Sequence, residues 1–206
     1  MPYVNMQMVA KPPPKARPAR KPRAPRRYAA AARAESMQET RDALLAAAGS
    51  LFAELLQLDA ATLGRLYADA RVPDLAAIHG DLRGRMLAWP GLGATGNGLL
   101  RTLASSDSFP WRGKSFTALG DGHGEGKNRV VSDRFKVFRF ETSVGPSRAG
   151  AFDAVQLDYD LPENPFFIRA IKDEIRELRP DLYLGQAWLR AGGKETLVLY
   201  FALQAA

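Results

Sequence analysis

The segment TLVLYFAL, residues 196–203, carries large apolar side chains on both faces of any strand it forms: Leu197, Leu199, Phe201 and Leu203 alternate with Val198, Tyr200 and Ala202. Successive side chains of a strand point to opposite sides of the sheet, so this segment needs apolar cover on both. A sheet with one face in water cannot supply it. The strand must lie in an open sheet covered by helices, or in a sheet rolled into a cylinder whose lumen covers one face and whose helices cover the other. The two-sided pattern favours the cylinder.

The rest of the chain supplies the parts. From Ser36 a period near 3.6 places Met37, Thr40, Leu44, Ala47, Ala48, Leu51, Leu55 and Leu58 on one stripe, with Ser36 and Glu39 spaced as a capping box. AATLGRLYADA continues the helical pattern to Pro73, and PDLAAIHG reads as a short helix ended by Gly80. Beyond Gly80 the signals turn to short alternating segments: 82–89, 114–119, 128–132, 135–142, 151–159, 182–190 and 195–203, about seven strands. One helix is expected among them over 165–177, with Asn164 as N-cap, Pro165 at the first helical position and Ile171, Ile175 and Leu178 on one face. The expected fold is α+β, a mostly antiparallel barrel of seven or eight strands with N-terminal helices and one helix before the last hairpin. Its divisions are a basic, Pro-rich tail at 1–35, a helical segment at 36–79 and a barrel at 80–206.

Charge is distributed unevenly. Residues 1–35 hold nine Lys or Arg and one acid, leaving 20 basic and 21 acidic side chains from 36 onward, so the net charge of +7 belongs to the tail. Residues 11–27 consist of eight cations, six prolines and three alanines, a composition that cannot bury enough apolar surface to order itself. Such a segment suits contact with a polyanion, either nucleic acid or an anionic membrane. With no cysteine there is no disulfide, thiolate metal site or thiol nucleophile. Apolar runs are far too short for a membrane span. A cytoplasmic location is expected, or an organelle after removal of the leader.

Chemistry-bearing segments are few. Asp121, His123 and Glu125 alternate with glycines in GDGHGEGKNR, and in an extended chain they could face one divalent ion. The calcium-loop pattern fails at Ser132, where a bidentate Glu belongs, and the phosphate-loop pattern fails at Asp121 and Asn128. A Gly-rich hairpin connection is the expected structure there. Asp158 and Asp160, with Glu163, are either paired carboxylates for acid–base chemistry or anions at a helix N-terminus. Aromatics at strand spacing are the larger resource: Phe138, Phe140, Tyr159, Tyr183, Trp188 and Tyr200 are candidates to line a lumen that holds a small apolar molecule. Arg139, between two phenylalanines, is the candidate anchor for an anionic group. No cofactor is indicated.

In PWRGK, Trp111 and Gly113 resemble the Trp-x-Gly element of lipocalin-like barrels, in particular the small proteins named for a Gly-x-Trp-x-Gly motif, with Phe109 replacing the first glycine. GDLRG, residues 80–84, has both glycines but Leu82 in the Trp position. The final YLGQAWLRAGGKETLVLYFAL is similar to the last hairpin of plastid lipid-associated proteins. The resemblance implies a barrel that carries a lipid, isoprenoid, tetrapyrrole or other apolar molecule. In it Trp111 would plug the barrel floor and contact the ligand, while Arg112 and Lys114 would face water. The tail gives a separate prediction: deleting residues 1–35 should abolish polyanion affinity together with its salt dependence, and affinity that survives the deletion would refute a role for the tail.

Overall fold

The computed structural model describes residues 52–92, 96, 110–131 and 134–205, all within the compact unit Leu44–Ala206. The tail, the capping box at Ser36 and most of the first helical stripe lie outside the described residues. Eight antiparallel strands follow one another around a closed barrel. They are β1 (Gly80–Ala88), β2 (Trp111–Gly120), β3 (His123–Val130), β4 (Lys136–Pro146), β5 (Asp153–Asp158), β6 (Ile171–Arg179), β7 (Leu182–Ala191) and β8 (Lys194–Ala205). Each pairs with its neighbour in sequence, and β8 returns to β1 with Gly84 opposite Leu203 and Met86 opposite Phe201. The cylinder therefore has no open edge strand.

From Leu199 onward the two faces of β8 divide as its sequence requires, whereas a bulge beside Ala187 and Trp188 exchanges the two positions before it, so that Leu197 packs with the outer cluster and Val198 with the interior one. Leu199, Phe201 and Leu203 join the interior cluster with Leu82, Phe116, Phe140, Leu157, Ile175 and Tyr183. Tyr200 and Ala202 lie outside with Leu87, Leu182 and Leu184, beneath Leu63 and Tyr67. Those last two belong to α1 (Ala60–Asp69), whose first turn is capped by the Asp59 carboxylate accepting from the Thr62 N–H at 2.7 Å. Residues 52–57 are helical as well, and PDLAAIHG forms a single 3₁₀ turn, Leu75–Ala77, before Gly80 opens β1. Arg176 ties α1 to the wall, donating to the carbonyls of Ala70 and Asp153 while its guanidinium lies 4.3 Å from the Phe152 ring centre.

Two expectations are corrected. The helix over 165–177 is one turn, α2 (Phe166–Arg169), followed by β6. Its N-cap is Pro165, and Asn164 instead donates to the carbonyls of Arg139 and Tyr159 at 2.7 and 2.9 Å. IKDEIRELR also reads with period two, and closure of the barrel selects that reading. Ile171 and Ile175 turn inward. On the opposite face Lys172 meets Asp158, and Glu174 accepts from Ser147 at 2.6 Å and from the Arg148 N–H at 3.1 Å. With ladders to β5 and β7 and partners for Lys172, Asp173, Glu174, Arg176 and Glu177, tertiary context overrides helical propensity.

The Gly-rich connection is likewise mostly strand: the turn is confined to 121–122, and β3 begins at His123. Gly126 is where β3 passes the Phe140 ring, since a Cβ there would lie 2.4 Å from the ring and 2.1 Å from the Ser115 carbonyl oxygen. Gly126→Ala should therefore destabilise the fold by about 1–3 kcal/mol, read from the urea midpoint; an unchanged midpoint would mean the strand and ring shift freely.

Candidate functional site

Trp111 enters the barrel edge-on to Phe201, ring centres 5.8 Å apart, and its Nε1 donates to Asn128 Oδ1 at 3.0 Å. Gly84 on β1 leaves room for it, because a Cβ at that position would stand 2.5 Å from the indole. The expectation that Lys114 faces water is wrong. Trp111 pairs with Val130 and Gly113 with Arg129, so β2 holds one residue more than β3 across this stretch. This is a β-bulge, eased by Gly113 at φ 128°. The extra residue shifts the alternation by one, and both Trp111 and Lys114 point inward.

Lys114 is only 2% exposed. Its Nζ donates to Asp173 Oδ2 at 2.9 Å, to Asn128 Oδ1 at 2.9 Å and to the Tyr159 hydroxyl, which occupies all three of its N–H groups. Tyr159 in turn donates to Asp173 Oδ2 at 3.1 Å and accepts from Asn128 Nδ2 at 3.0 Å. Around the ammonium stand the rings of Trp111, Phe140, Tyr159 and Phe201, with centroids 5.2–5.7 Å away. Burial lowers the Lys114 pKa, and the Asp173 carboxylate opposes that shift. Burial and then the Asp173 charge hold the Tyr159 phenol well above its ordinary range, so it remains a donor. The other Asp173 oxygen, Oδ1, is buried without a hydrogen-bond partner.

This polar knot forms part of the wall of a cavity of about 250 Å³. The remaining wall is almost entirely apolar: Met86, Trp111, Val130, Phe138, Ile168, Ile171, Ala187, Leu199 and Phe201. Phe138 reaches it through a second bulge, where Lys127 pairs with Arg139 and Asn128 with Val137, and its backbone adopts φ 56°. Ile168 is contributed by α2.

Of the residues singled out from the sequence, Trp111, Phe138 and Tyr159 meet at this cavity. Phe140 packs beneath it, edge-on to Tyr159 and Phe116 at 5.3 Å each. Tyr183 belongs to the same interior cluster but does not line the cavity. Tyr200 packs in the outer cluster beneath α1. The Trp188 indole donates to Gln186 Oε1 at 3.2 Å and is likewise away from the cavity. Arg139 is not in the lumen, because alternation between two inward phenylalanines turns it out to Glu125 at 2.8 Å, Glu141 at 3.1 Å and Glu163 at 3.2 Å. The cation inside is Lys114.

Asp158 and Asp160 are occupied elsewhere. Burial pushes the Asp158 carboxyl up, but Lys172 and the Asp160 N–H outweigh it and leave the pKa lowered. Asp160 is lowered chiefly by Arg169 at 2.8 Å, with Arg190 at 3.0 Å. Neither has the raised pKa of a general acid. Among the described residues, no three or more of His, Asp and Glu gather as they would around a metal ion, and no helix is long and apolar enough to cross a membrane.

No family profile matches the chain, and no curated protein does. Among solved structures, a crystal structure of a protein from Thermomonospora curvata aligns with a TM-score of 0.46 at 20% identity, covering 77% of this chain and 95% of that one.

Removing one member of a buried ion pair strands the other charge, at a cost of roughly 3–5 kcal/mol. Lys114→Met should therefore destabilise the protein by about that much, and Lys114→Met/Asp173→Leu should recover most of the loss. Additive single and double effects in chemical denaturation would refute the coupling.

Proposed function

We propose that the barrel binds a small, mainly apolar molecule in the cavity beside Lys114 and Tyr159. The observation that carries this reading is a space of about 250 Å³ with apolar walls and one cluster of convergent polar groups, a composition typical of small-molecule sites. A packed interior would have closed it, since protein cores leave few voids larger than a water molecule. At about 30 Å³ per water in the liquid, the space equals roughly eight waters, which suits a molecule of about ten heavy atoms. The apolar-carrier function implied by the lipocalin-like resemblance agrees in kind with this site, although of the residues read off the sequence only Trp111, Phe138 and Tyr159 line it.

The reading gives a direct test. The neutral fluorophore N-phenyl-1-naphthylamine should bind with one-to-one stoichiometry and a blue-shifted emission. Ala187→Phe, which fills the cavity from β7, should abolish that binding while the thermal transition stays cooperative. Absence of binding to the unmodified protein, or full binding to a folded Ala187→Phe variant, would refute the proposal.

A further inference from the structure

We infer that the cavity end of the barrel docks onto an anionic phospholipid bilayer, with the rings of Phe135, Phe166 and Phe167 at the hydrocarbon boundary and Arg112, Arg134 and Lys194 among the headgroup phosphates. This goes beyond ligand binding and does not need it, since it concerns the rim around the cavity and not its contents.

Strand direction decides which segments share this end. β1, β3, β5 and β7 finish here, and β2, β4, β6 and β8 begin here. The cavity lies toward the same end: Trp111 opens β2, Val130 closes β3, Ile171 opens β6, and Ile168 belongs to α2 between β5 and β6. Exposed apolar side chains gather around it. Trp89 and Leu92 follow β1, Val131 and Phe135 join β3 to β4, Phe166 and Phe167 stand on α2, and Leu189 lies on β7 opposite Ile171. Among the described residues, the other exposed large apolar side chains are Leu119 and Val144, at the opposite end. Phe166 is 84% exposed, although Ile168, two residues on, lines the cavity. Apolar residues scattered singly over a surface are ordinary, whereas a group collected at one end marks a contact surface.

Charge identifies what the rim contacts. The described acids at this end are all ion-paired: Asp158 with Lys172, Asp160 with Arg169 and Arg190, Glu163 with Arg139, and Glu195 with Arg148. Arg112, Arg134 and Lys194 stand at the same end outside every ion pair of the described residues. At the opposite end the unpaired charges include three aspartates, Asp121, Asp153 and Asp181, against Arg179. An anionic surface therefore attracts the apolar end and repels the other. Rings beside free cations suit the boundary where hydrocarbon meets phosphate. A second copy docked rim to rim would set these cations against their own counterparts, because a two-fold contact pairs each patch with itself. A peptide needs a groove, whereas fluid hydrocarbon takes the shape of a rim spread around a barrel mouth.

Flotation of the full chain with vesicles of equimolar phosphatidylcholine and phosphatidylglycerol measures docking. Phe166→Ser/Phe167→Ser should weaken binding roughly tenfold or more, the scale of two rings partly withdrawn from water. Arg134→Glu/Lys194→Glu should weaken it roughly fivefold or more. All four side chains are exposed, so both variants should keep a cooperative thermal transition. Residues 1–35 can also hold an anionic vesicle, and depth separates the two contacts. Lipids brominated in the acyl chain should quench the emission added by Phe166→Trp and leave that added by Leu119→Trp, at the opposite end, unquenched. Absence of vesicle binding, undiminished binding of either folded double variant, or no quenching in Phe166→Trp overturns the inference. So does a dimer in sedimentation velocity that Phe166→Ser/Phe167→Ser dissolves while no vesicle is bound, which would make the rim a contact between copies. Fluorophore binding is measured without vesicles, so the cavity proposal and the docking proposal stand or fall separately.

Discussion

A lysine and an aspartate face each other across the inside of the barrel, and the arrangement of the site follows from the need to keep them together. Lys114 stands on β2 and Asp173 on β6, strands that are not neighbours in the sheet, so their contact crosses the lumen. Two charges in such a place are tolerated only when paired and hydrogen-bonded on their remaining valences. Asn128 and Tyr159 meet that requirement for the ammonium and Tyr159 for Asp173 Oδ2, while Oδ1 is left without a partner, and Trp111 holds Asn128 from the other side. The four rings around the ammonium exclude water from it and add cation–π attraction. Replacing the pair with well-packed hydrocarbon would cost little stability by the general behaviour of such pairs. Its presence therefore fits a recognition role better than a stabilising one.

Irregularities in the strands put these groups where they are. A barrel wall that alternated strictly from Trp111 onward would turn Lys114 into solvent. The bulge at Gly113 brings it inside, and the bulge at Phe138 gives the cavity one of its walls. Glycines serve the same end by omission: Gly84 admits the Trp111 indole and Gly126 admits the Phe140 ring. The lumen is thus furnished with large rings at positions where the adjacent strand has no side chain.

How much of this could be read from the chain depended on whether alternation alone carried the information. Val198 to Leu203 have the two-faced pattern that only a covered wall explains, and the barrel and its outer helix followed from them. β6 was hidden because Ile171, Ile175 and Leu178 fit a helical stripe as well as a strand. The decisive evidence for the strand is the set of partners of Lys172, Glu174 and Arg176, which lie far away in sequence. β3 was hidden because glycine is scarce in strands, and its reason for being there is a ring on β4. Within the site, Trp111, Phe138 and Tyr159 were recognisable as aromatics at strand spacing. Lys114 was assigned to the wrong face by a bulge that leaves little trace in the sequence beyond Gly113. Asp173 did leave a signal, an acid midway between two isoleucines with period two, visible only once IKDEIRELR is read as a strand.

The seam between β1 and β8 carries a consequence for how the molecule is made. Leu82 pairs with Ala205, and every other ladder joins strands adjacent in sequence. During synthesis the local hairpins can form in turn, but the first strand must wait for the last before its outer hydrogen-bonding edge is occupied. Until then the nascent protein is an open ribbon with two adhesive margins, the form most prone to pair with another copy. The rate at which β8 finds β1 thus sets the interval in which this chain is vulnerable to aggregation.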